Sequence, residues 1–167
     1  MNPRRSAFVR LIKHPLKFRL FLLMKLPAAF IAGVKVREMD EQRAVVSVPF
    51  KWLTQNPFRS TYFASLSMAA EMSTGALALA ELHQRKPAVS MLVVKVESEY
   101  YKKATDRSSF VCEDGELFRK AIDETIKTGE ARTVRARSVG TNKAGEKVAE
   151  FWITWSFKVR STRYEVR

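Results

Sequence analysis

Cysteine and histidine are nearly absent from this chain. Its 167 residues include a single cysteine, Cys112, and two histidines, His14 and His83. One thiol excludes a disulfide framework and any metal site built from several cysteines. Two histidines leave little material for a histidine-rich metal centre or a serine–histidine–aspartate triad. We therefore expect no metal and no cofactor, and we favour structural roles for these three residues.

Long uninterrupted apolar runs are also missing from the N-terminal quarter. The run at residues 20–24 ends at Lys25, whereas a membrane-spanning helix needs roughly 20 apolar residues. Lys25 and Pro27 also interrupt the stretch that a cleavable signal peptide would use. With 46% apolar and 28% charged residues, the composition is that of a soluble protein with a core, and the length is that of one domain. We expect a cytoplasmic protein.

Acidic residues are absent before Glu38, although the chain as a whole carries 17 of them. The same segment holds nine cations, which are Arg4, Arg5, Arg10, Lys13, Lys17, Arg19, Lys25, Lys35 and Arg37. The formal net charge is +13, but residues 38–167 contribute only +4 of it. The basic character therefore belongs mainly to one end of the chain, and it suggests an anionic partner without naming one.

Apolar residues alternate with these N-terminal cations. The pattern predicts a basic amphipathic helical segment at residues 1–25, ahead of a single domain at residues 26–167. Packing of this helix on the domain is the simplest interpretation. Peripheral contact with an anionic membrane surface, or with an acidic partner, is the alternative.

The rest of the chain reads as alternating strands and helices. The patterns predict strands at residues 30–39, 43–50, 88–101, 108–113, 130–141 and 147–159, with helices at 60–82 and 116–127. The last strand is the clearest, because apolar and polar residues alternate strictly over 13 positions, as in a half-buried strand. Residues 142–145, Asn-Lys-Ala-Gly, supply the hairpin turn before it.

The predicted central helix carries one charge over most of its length. Small and apolar residues occupy all of its faces, which is typical of a helix buried on most sides. Glu71 is the only charged residue between Ser60 and Ala80. Because an unpaired carboxylate is costly to bury, Glu71 is either one half of a structural ion pair or a catalytic group with a raised pKa. The residues alone leave both interpretations open.

Two stretches around this helix resemble a known family. NPFRSTYFA at residues 56–64 and AAEMSTG at residues 69–75 are similar to the motif of hotdog-fold acyl-CoA thioesterases, in which an acidic residue follows an asparagine by fifteen positions. Asn56 and Glu71 have this spacing. The segment LPAA at residues 26–29, leading into GVKV at residues 33–36, is most similar to an uncharacterised branch of that superfamily, a domain of unknown function. The resemblance begins at about Leu16.

The resemblance implies a fold and a set of site residues. It implies an α+β hotdog fold, in which an antiparallel sheet of about six strands wraps a long central helix, here with an extra N-terminal helix. The implied catalytic residues are Glu71, as general base or nucleophile, Asn56, and Thr74, which follows Glu71 on the same helix face. The implied substrate-binding residues are Ser60, Phe63 and Ala64. The chain departs from the family in having Phe63-Ala64 where two glycines are usual.

Hydrolysis of a fatty or aryl acyl thioester is thus the leading functional hypothesis. The implied partners are an acyl-CoA or acyl-carrier substrate and a second copy of the chain, as a homodimer or a dimer of dimers. A non-catalytic hotdog protein that binds acyl-CoA or a fatty acyl group is the alternative, which the missing glycine pair favours. Nucleic acid is the least favoured partner, because the charge is accompanied by no nucleic-acid-binding motif.

Overall fold

The computed structural model describes Ile12 and residues 14–160, which form one antiparallel sheet around a long helix. The strands lie in the order β1-β2-β4-β5-β6-β3. The helices are α1 (Pro15–Lys25), α2 (Pro27–Ala32), α3 (Phe63–Leu82) and α4 (Gly115–Thr128). The strands are β1 (Lys35–Met39), β2 (Ala44–Val48), β3 (Val89–Tyr100), β4 (Ser108–Cys112), β5 (Arg132–Thr141) and β6 (Lys147–Val159). This is the predicted hotdog architecture.

The central helix α3 is buried because its side chains are small. Ala69, Ala70 and Ala78 have no exposed surface, and strands β2, β4 and β5 pack against this helix. Ser73 is also fully buried, and its hydroxyl lies 2.8 Å from the hydroxyl of Ser138 on β5. Small side chains let the sheet approach the helix axis closely, and this is why a 20-residue helix fits inside a single curved sheet.

Strand β6 has the predicted bounds, and the predicted alternation holds from Phe151 onwards, whereas Val148, Ala149 and Glu150 are all buried. Phe151, Ile153, Trp155 and Phe157 are buried on the side that faces α3, whereas the residues between positions 151 and 157 are half-buried. The turn before the strand is also as predicted: the Asn142 side chain accepts hydrogen bonds from the backbone of Ala144 and Glu146. The two strands of this hairpin pair along almost their whole length.

The predicted strand at residues 30–39 is wrong in its first part. Residues Pro27–Ala32 form helix α2, and β1 begins only at Lys35. Proline suits the first position of a helix, and Gly33 ends the helix with a left-handed backbone, at φ +80°. The amide of Val34 closes this cap with a hydrogen bond of 3.0 Å to the carbonyl of Ala29. The apparent alternation therefore included the last turn of a short helix.

Helix α1 packs on the domain through one face. Phe18 and Leu22 are 7% and 2% exposed and belong to the same apolar core as α3, together with Ile12. His14 caps the start of α1, where its ring nitrogen accepts from the amide of Lys17. The remainder of the predicted basic segment, residues 1–11 and 13, lies outside the described residues. The proposed division at residue 25 stays a prediction.

A buried carboxylate joins the end of β3 to β5 and β6. Glu150 is 3% exposed, and its oxygens accept hydrogen bonds from Lys147 (2.7 Å), Tyr101 (3.2 Å) and Arg137. These donors, with Lys147 contributing most, lower the pKa of Glu150 to about 2. The network holds the side chain of Tyr101, which lines the largest of the cavities described below.

We expect Glu150→Gln to lower the free energy of unfolding by roughly 1–3 kcal/mol at neutral pH, because the charged acceptor is lost while its donors remain. The folded-state pKa lies below the unfolded one, so the stabilisation is present above the ordinary glutamate pKa. It is lost as the pH falls towards 2. Urea unfolding at several pH values measures this dependence. Glu146→Gln, at an exposed ion pair with Lys102, is the control. An equal effect of both substitutions would contradict the prediction.

Candidate functional site

Glu71 lies at the edge of an apolar cavity between α1 and α3. Its side chain is half-buried, and no hydrogen bond or ion pair joins its carboxylate to a described residue. Gly75, one turn later on α3, has no side chain, and this leaves room for the Glu71 carboxylate. A Cβ placed there would lie 3.2 Å from Glu71 Oε1 and 3.2 Å from the Trp155 ring. Burial raises the pKa of the Glu71 carboxyl above its usual range.

The N-terminal helix covers this carboxylate. The cavity at Glu71 has a volume of about 50 Å³, and apolar side chains line it from α1, α3 and β3, including Phe21, Leu22, Met72 and Met91. A second cavity, of about 340 Å³, lies between α1 and β1. Phe18 and Leu22 line both cavities and so form the wall between them.

Asn56 occupies a tight turn before α3. Its Oδ1 atom accepts hydrogen bonds from the amide of Phe58 (3.0 Å) and from the amide and hydroxyl of Ser60 (both 3.2 Å). Arg59 completes the turn with a left-handed backbone, at φ +57°. An asparagine oxygen that bonds the backbone two residues on is typical of such turns. The predicted site residues Asn56 and Ser60 are therefore in direct contact, and each holds the other in place.

The start of α3 follows three residues later than predicted. Thr61 donates from both its amide and its hydroxyl to the carbonyl of Ala104, which holds residues 60–62 outside the helix. No side chain caps the helix, which begins at Phe63. Since the first amides of any helix lack acceptors within it, those of Phe63 and Ala64 are suited to bind an anion or a polarised carbonyl.

A large open cavity of about 780 Å³ lies at this helix end. Among the predicted site residues, Asn56, Ser60 and Phe63 line it, and Ala64 does not. The side chain of Phe63 is 55% exposed and makes an edge-to-face contact with Tyr62. The opposite wall is formed by Tyr100, Tyr101, Lys102 and Lys103, at and just after the end of β3.

The structure separates the predicted residues into two groups. Asn56, Ser60 and Phe63 lie at the start of α3, whereas Glu71 is eight residues further on, about 12 Å along the helix axis. Glu71 lines the small cavity beside α1, and Asn56 lines the large one. Within one chain these two residues do not meet in a single cavity.

Thr74 is buried and engaged in the helix–sheet contact. Its hydroxyl donates to the carbonyl of Glu71 at 3.0 Å and accepts the indole N–H of Trp155 at 3.0 Å. The bond from Trp155 joins α3 to β6 beside the Glu71 cavity, and Thr74 itself has no exposed surface. A direct catalytic role for this hydroxyl stays a prediction.

Several lining residues were not found from the sequence. Phe18, Leu22 and Met91 surround Glu71, and Tyr101 and Lys103 face Asn56, although none of them belongs to the motif. They reach the cavities through the packing of α1 and the pairing of β3 with β6, which are contacts between distant parts of the chain. The sequence around them contains no local signal of such a role.

The cysteine and the remaining histidine line none of the three cavities. Burial raises the pKa of the Cys112 thiol to about 12, so this side chain is a buried apolar residue, as expected. His83 follows the last residue of α3 as its C-cap, as its position predicted. Among the described residues, no group of three histidine, cysteine, aspartate or glutamate side chains could hold a metal ion.

Strand β3 forms one edge of the sheet and is exposed on both faces. Val96 lies opposite Ile153 of β6, so both side chains point towards α3. Ile153 is 1% exposed, whereas Val96 is 52% exposed. Val96 thus faces the core side of the sheet, yet about half of its surface is not covered by the chain's own core.

Comparison with solved structures identifies the fold. A protein of unknown function from Chlorobaculum tepidum superposes with a TM-score of 0.74 at 16% identity, over 86% of this chain and 93% of that one. A protein of unknown function from Pseudomonas aeruginosa, described as a probable thioesterase, gives 0.70 at 17% identity, over 93% and 95%. A thioesterase from Haemophilus influenzae gives 0.63 at 11% identity, over 87% and 92%.

The family is identified from the sequence. No curated protein matches the chain. A family model described as a domain of unknown function (DUF4442) matches residues 16–157, which span α1 and nearly the whole sheet. With its thioesterase-like hotdog fold, the chain therefore belongs to the DUF4442 family.

Proposed function

We propose that this protein hydrolyses an acyl thioester, with a fatty or aryl acyl-CoA, or the corresponding acyl carrier, as substrate. The observation that carries the proposal is Glu71, a carboxylate without a described partner at the edge of an apolar cavity, fifteen residues after the asparagine of the motif. The apolar cavity of about 340 Å³ behind Phe18 and Leu22 adds to the small one at Glu71, and apolar space of this size suits an acyl chain. A carboxylate with a raised pKa suits a general base. Two of the structural relatives are described as thioesterases, which supports the same reaction class.

In the proposed mechanism Glu71 accepts a proton from a water molecule. The oxygen of this water forms a bond to the thioester carbonyl carbon, and the negative charge develops on the carbonyl oxygen. In the dimer proposed below, the amides at the start of α3 in the other copy stabilise that oxyanion. The carbon–sulfur bond then breaks, and the proton held by Glu71 passes to the leaving thiolate.

The cations beside the large cavity fit the rest of a coenzyme A substrate. Lys102 and Lys103 line this cavity at the helix end, and Lys103 is exposed. Phosphate groups bind to lysines and to helix N-termini. The acyl chain would then lie near Glu71, and the phosphates near the opposite end of the site.

We propose further that a second copy of the chain completes the site. Asn56 and Glu71 line separate cavities in one chain, and β3 has an unpaired edge with an incompletely covered inner face. Pairing of two β3 edges would cover Val96 and bring the α3 helices of the two copies together. Asn56 of one copy would then act with Glu71 of the other.

Acyl binding without hydrolysis is the alternative, and two observations favour it. Phe63 stands where the family has glycine, and its side chain extends into the cavity at the end of α3. The oxygen of Asn56 already accepts three hydrogen bonds, which leaves it little capacity to orient water. Retention of a fatty acyl ligand, with no turnover of any thioester, would select this alternative.

The direct test of the reaction is Glu71→Gln. Loss of the general base should lower turnover of acyl-CoA by ~10²–10⁴-fold. The raised pKa predicts that wild-type kcat/KM falls as the pH drops through a value above that of an ordinary glutamate. Hydrolysis across a series of acyl-CoA chain lengths, followed through the released thiol, measures both effects.

Stability separates this role from a structural ion pair. The folded protein holds the Glu71 proton more tightly than the unfolded chain, so ionisation reduces stability as the pH rises. Glu71→Gln should therefore leave the melting temperature unchanged or raise it at neutral pH. Breaking a buried ion pair would instead cost roughly 3–5 kcal/mol. Glu130→Gln, at an exposed position, is the control for turnover.

The wall between the two apolar cavities should limit the acyl chain. We expect Phe18→Leu to enlarge the space beyond Glu71 and to favour longer thioesters. One additional buried methylene contributes about 0.8 kcal/mol, so two should raise the long-to-short ratio of kcat/KM roughly 10-fold. Leu20→Ala, at an exposed position of the same helix, is the control. An unchanged ratio in Phe18→Leu would show that the acyl chain lies elsewhere.

The proposed dimer is tested at Val96. Val96→Glu would place charges in the centre of the paired edges, so sedimentation velocity at micromolar concentration should show a dimer for the wild type and a monomer for the variant. Leu117→Glu, on the exposed face of α4, should remain dimeric. A wild-type protein that sediments as a monomer would contradict the proposal.

A further inference from the structure

Helix α1 is apolar on its solvent side as well as on its buried side. Leu16, Leu20, Leu23 and Met24 are between 48% and 74% exposed. They follow one another at spacings of four, three and one residues, which places them on one face of the helix. That face lies opposite to Phe18 and Leu22, which pack in the core. A helix of this kind buries one apolar face in its own domain and leaves another uncovered.

More exposed apolar side chains lie on and beside α2, which packs against α1. Ile31, on α2, is 55% exposed, and Trp52 and Leu53, in a 3₁₀ turn (Trp52–Thr54), are 80% and 53% exposed. The turn and α2 are in contact, because the Lys51 ammonium donates to the carbonyl of Ile31 at 2.9 Å. We call the combined surface the outer apolar face; it consists of Leu16, Leu20, Leu23, Met24, Ile31, Trp52 and Leu53. Clusters of this size on a protein surface are typical of interaction sites.

The charged residues of α1 and at the start of the 3₁₀ turn are all positive. Lys17, Arg19 and Lys25 are exposed on α1, and Lys51 borders the 3₁₀ turn. The sequence has no acidic residue before Glu38, and further cations precede α1 at Arg4, Arg5, Arg10 and Lys13. An anionic surface is therefore the complementary partner. A second copy of this chain is not, because its symmetric contact would bring the same cations together.

We propose that the outer apolar face docks the protein on an anionic membrane surface. The exposed leucines and methionine of α1 and the exposed Trp52 beside α2, with lysines and arginines among them, are the residue types that bind a membrane interface. The apolar side chains enter the boundary of the acyl chains, while the cations contact the lipid phosphates. Docking of this kind does not depend on thioester hydrolysis. It would also place α1 between the membrane and Glu71.

Vesicle binding by the full chain tests the proposal. The protein should sediment with vesicles of phosphatidylcholine and phosphatidylglycerol, and much less with phosphatidylcholine alone. Leu23→Glu should weaken this binding at least ~10-fold, because it places a charge in the apolar boundary. Leu117→Glu is the matched control, since both leucines are 48% exposed on a helix. Met24→Glu provides a second variant, and thermal unfolding confirms that each variant is folded.

Trp52 reports on the location of the contact. Its emission should shift to shorter wavelength on vesicle binding and be quenched by brominated lipid, and Trp52→Phe should remove most of this response. Equal binding by Leu23→Glu and Leu117→Glu would overturn the proposal. So would the absence of binding to anionic vesicles. A decrease in the sedimentation coefficient of Leu23→Glu without vesicles would also overturn it, because the face would then be a contact between protein chains.

Discussion

The enclosure of one 20-residue helix by a single sheet is the constraint on which the rest of this structure depends. The sheet can close around α3 only because alanine, serine and glycine dominate the buried faces of the helix. Such an interior tolerates charge poorly, since an unpaired carboxylate in apolar surroundings is costly. Glu71 is placed where this cost is reduced, at the edge of the small cavity beside α1, where its side chain is only half-buried.

Helix α1 connects the two kinds of surface in this molecule. Its inner side chains Phe18 and Leu22 enclose the apolar space beside Glu71. Its outer side chains, such as Leu16 and Leu20, are exposed. A helix that only completed the core would need apolar residues on one face, and the second face therefore calls for its own explanation. If the substrate is a fatty acyl thioester and the outer face binds lipid, the same helix would hold the protein at the membrane and line the pocket for the acyl chain.

The two ends of the candidate site differ in chemistry as well as position. Around Asn56 and the start of α3 there are backbone amides, hydroxyls and lysines, and the cavity is large and open. Around Glu71 there are almost only apolar side chains, and the cavity is small. A thioester of coenzyme A has the same division into a polar carrier and an apolar chain, with the reacting carbonyl between them. A distance of about 12 Å along α3 separates the two groups within one copy of the chain.

The sequence by itself determined the order of the elements, the central helix and the alternating strand β6, because these depend on periodicities that are local. It also singled out Glu71 and Asn56, because a lone charge in an apolar stretch and a fixed spacing are visible without coordinates. The error at residues 30–34 arose where a short helix, ended by Gly33, joins a strand. Only the tertiary structure decided which residues surround Glu71, that Thr74 is engaged by Trp155, and that Asn56 and Glu71 lie in different cavities. These facts depend on the packing of α1, α3 and β6, which lie far apart along the chain, and no local pattern encodes such contacts.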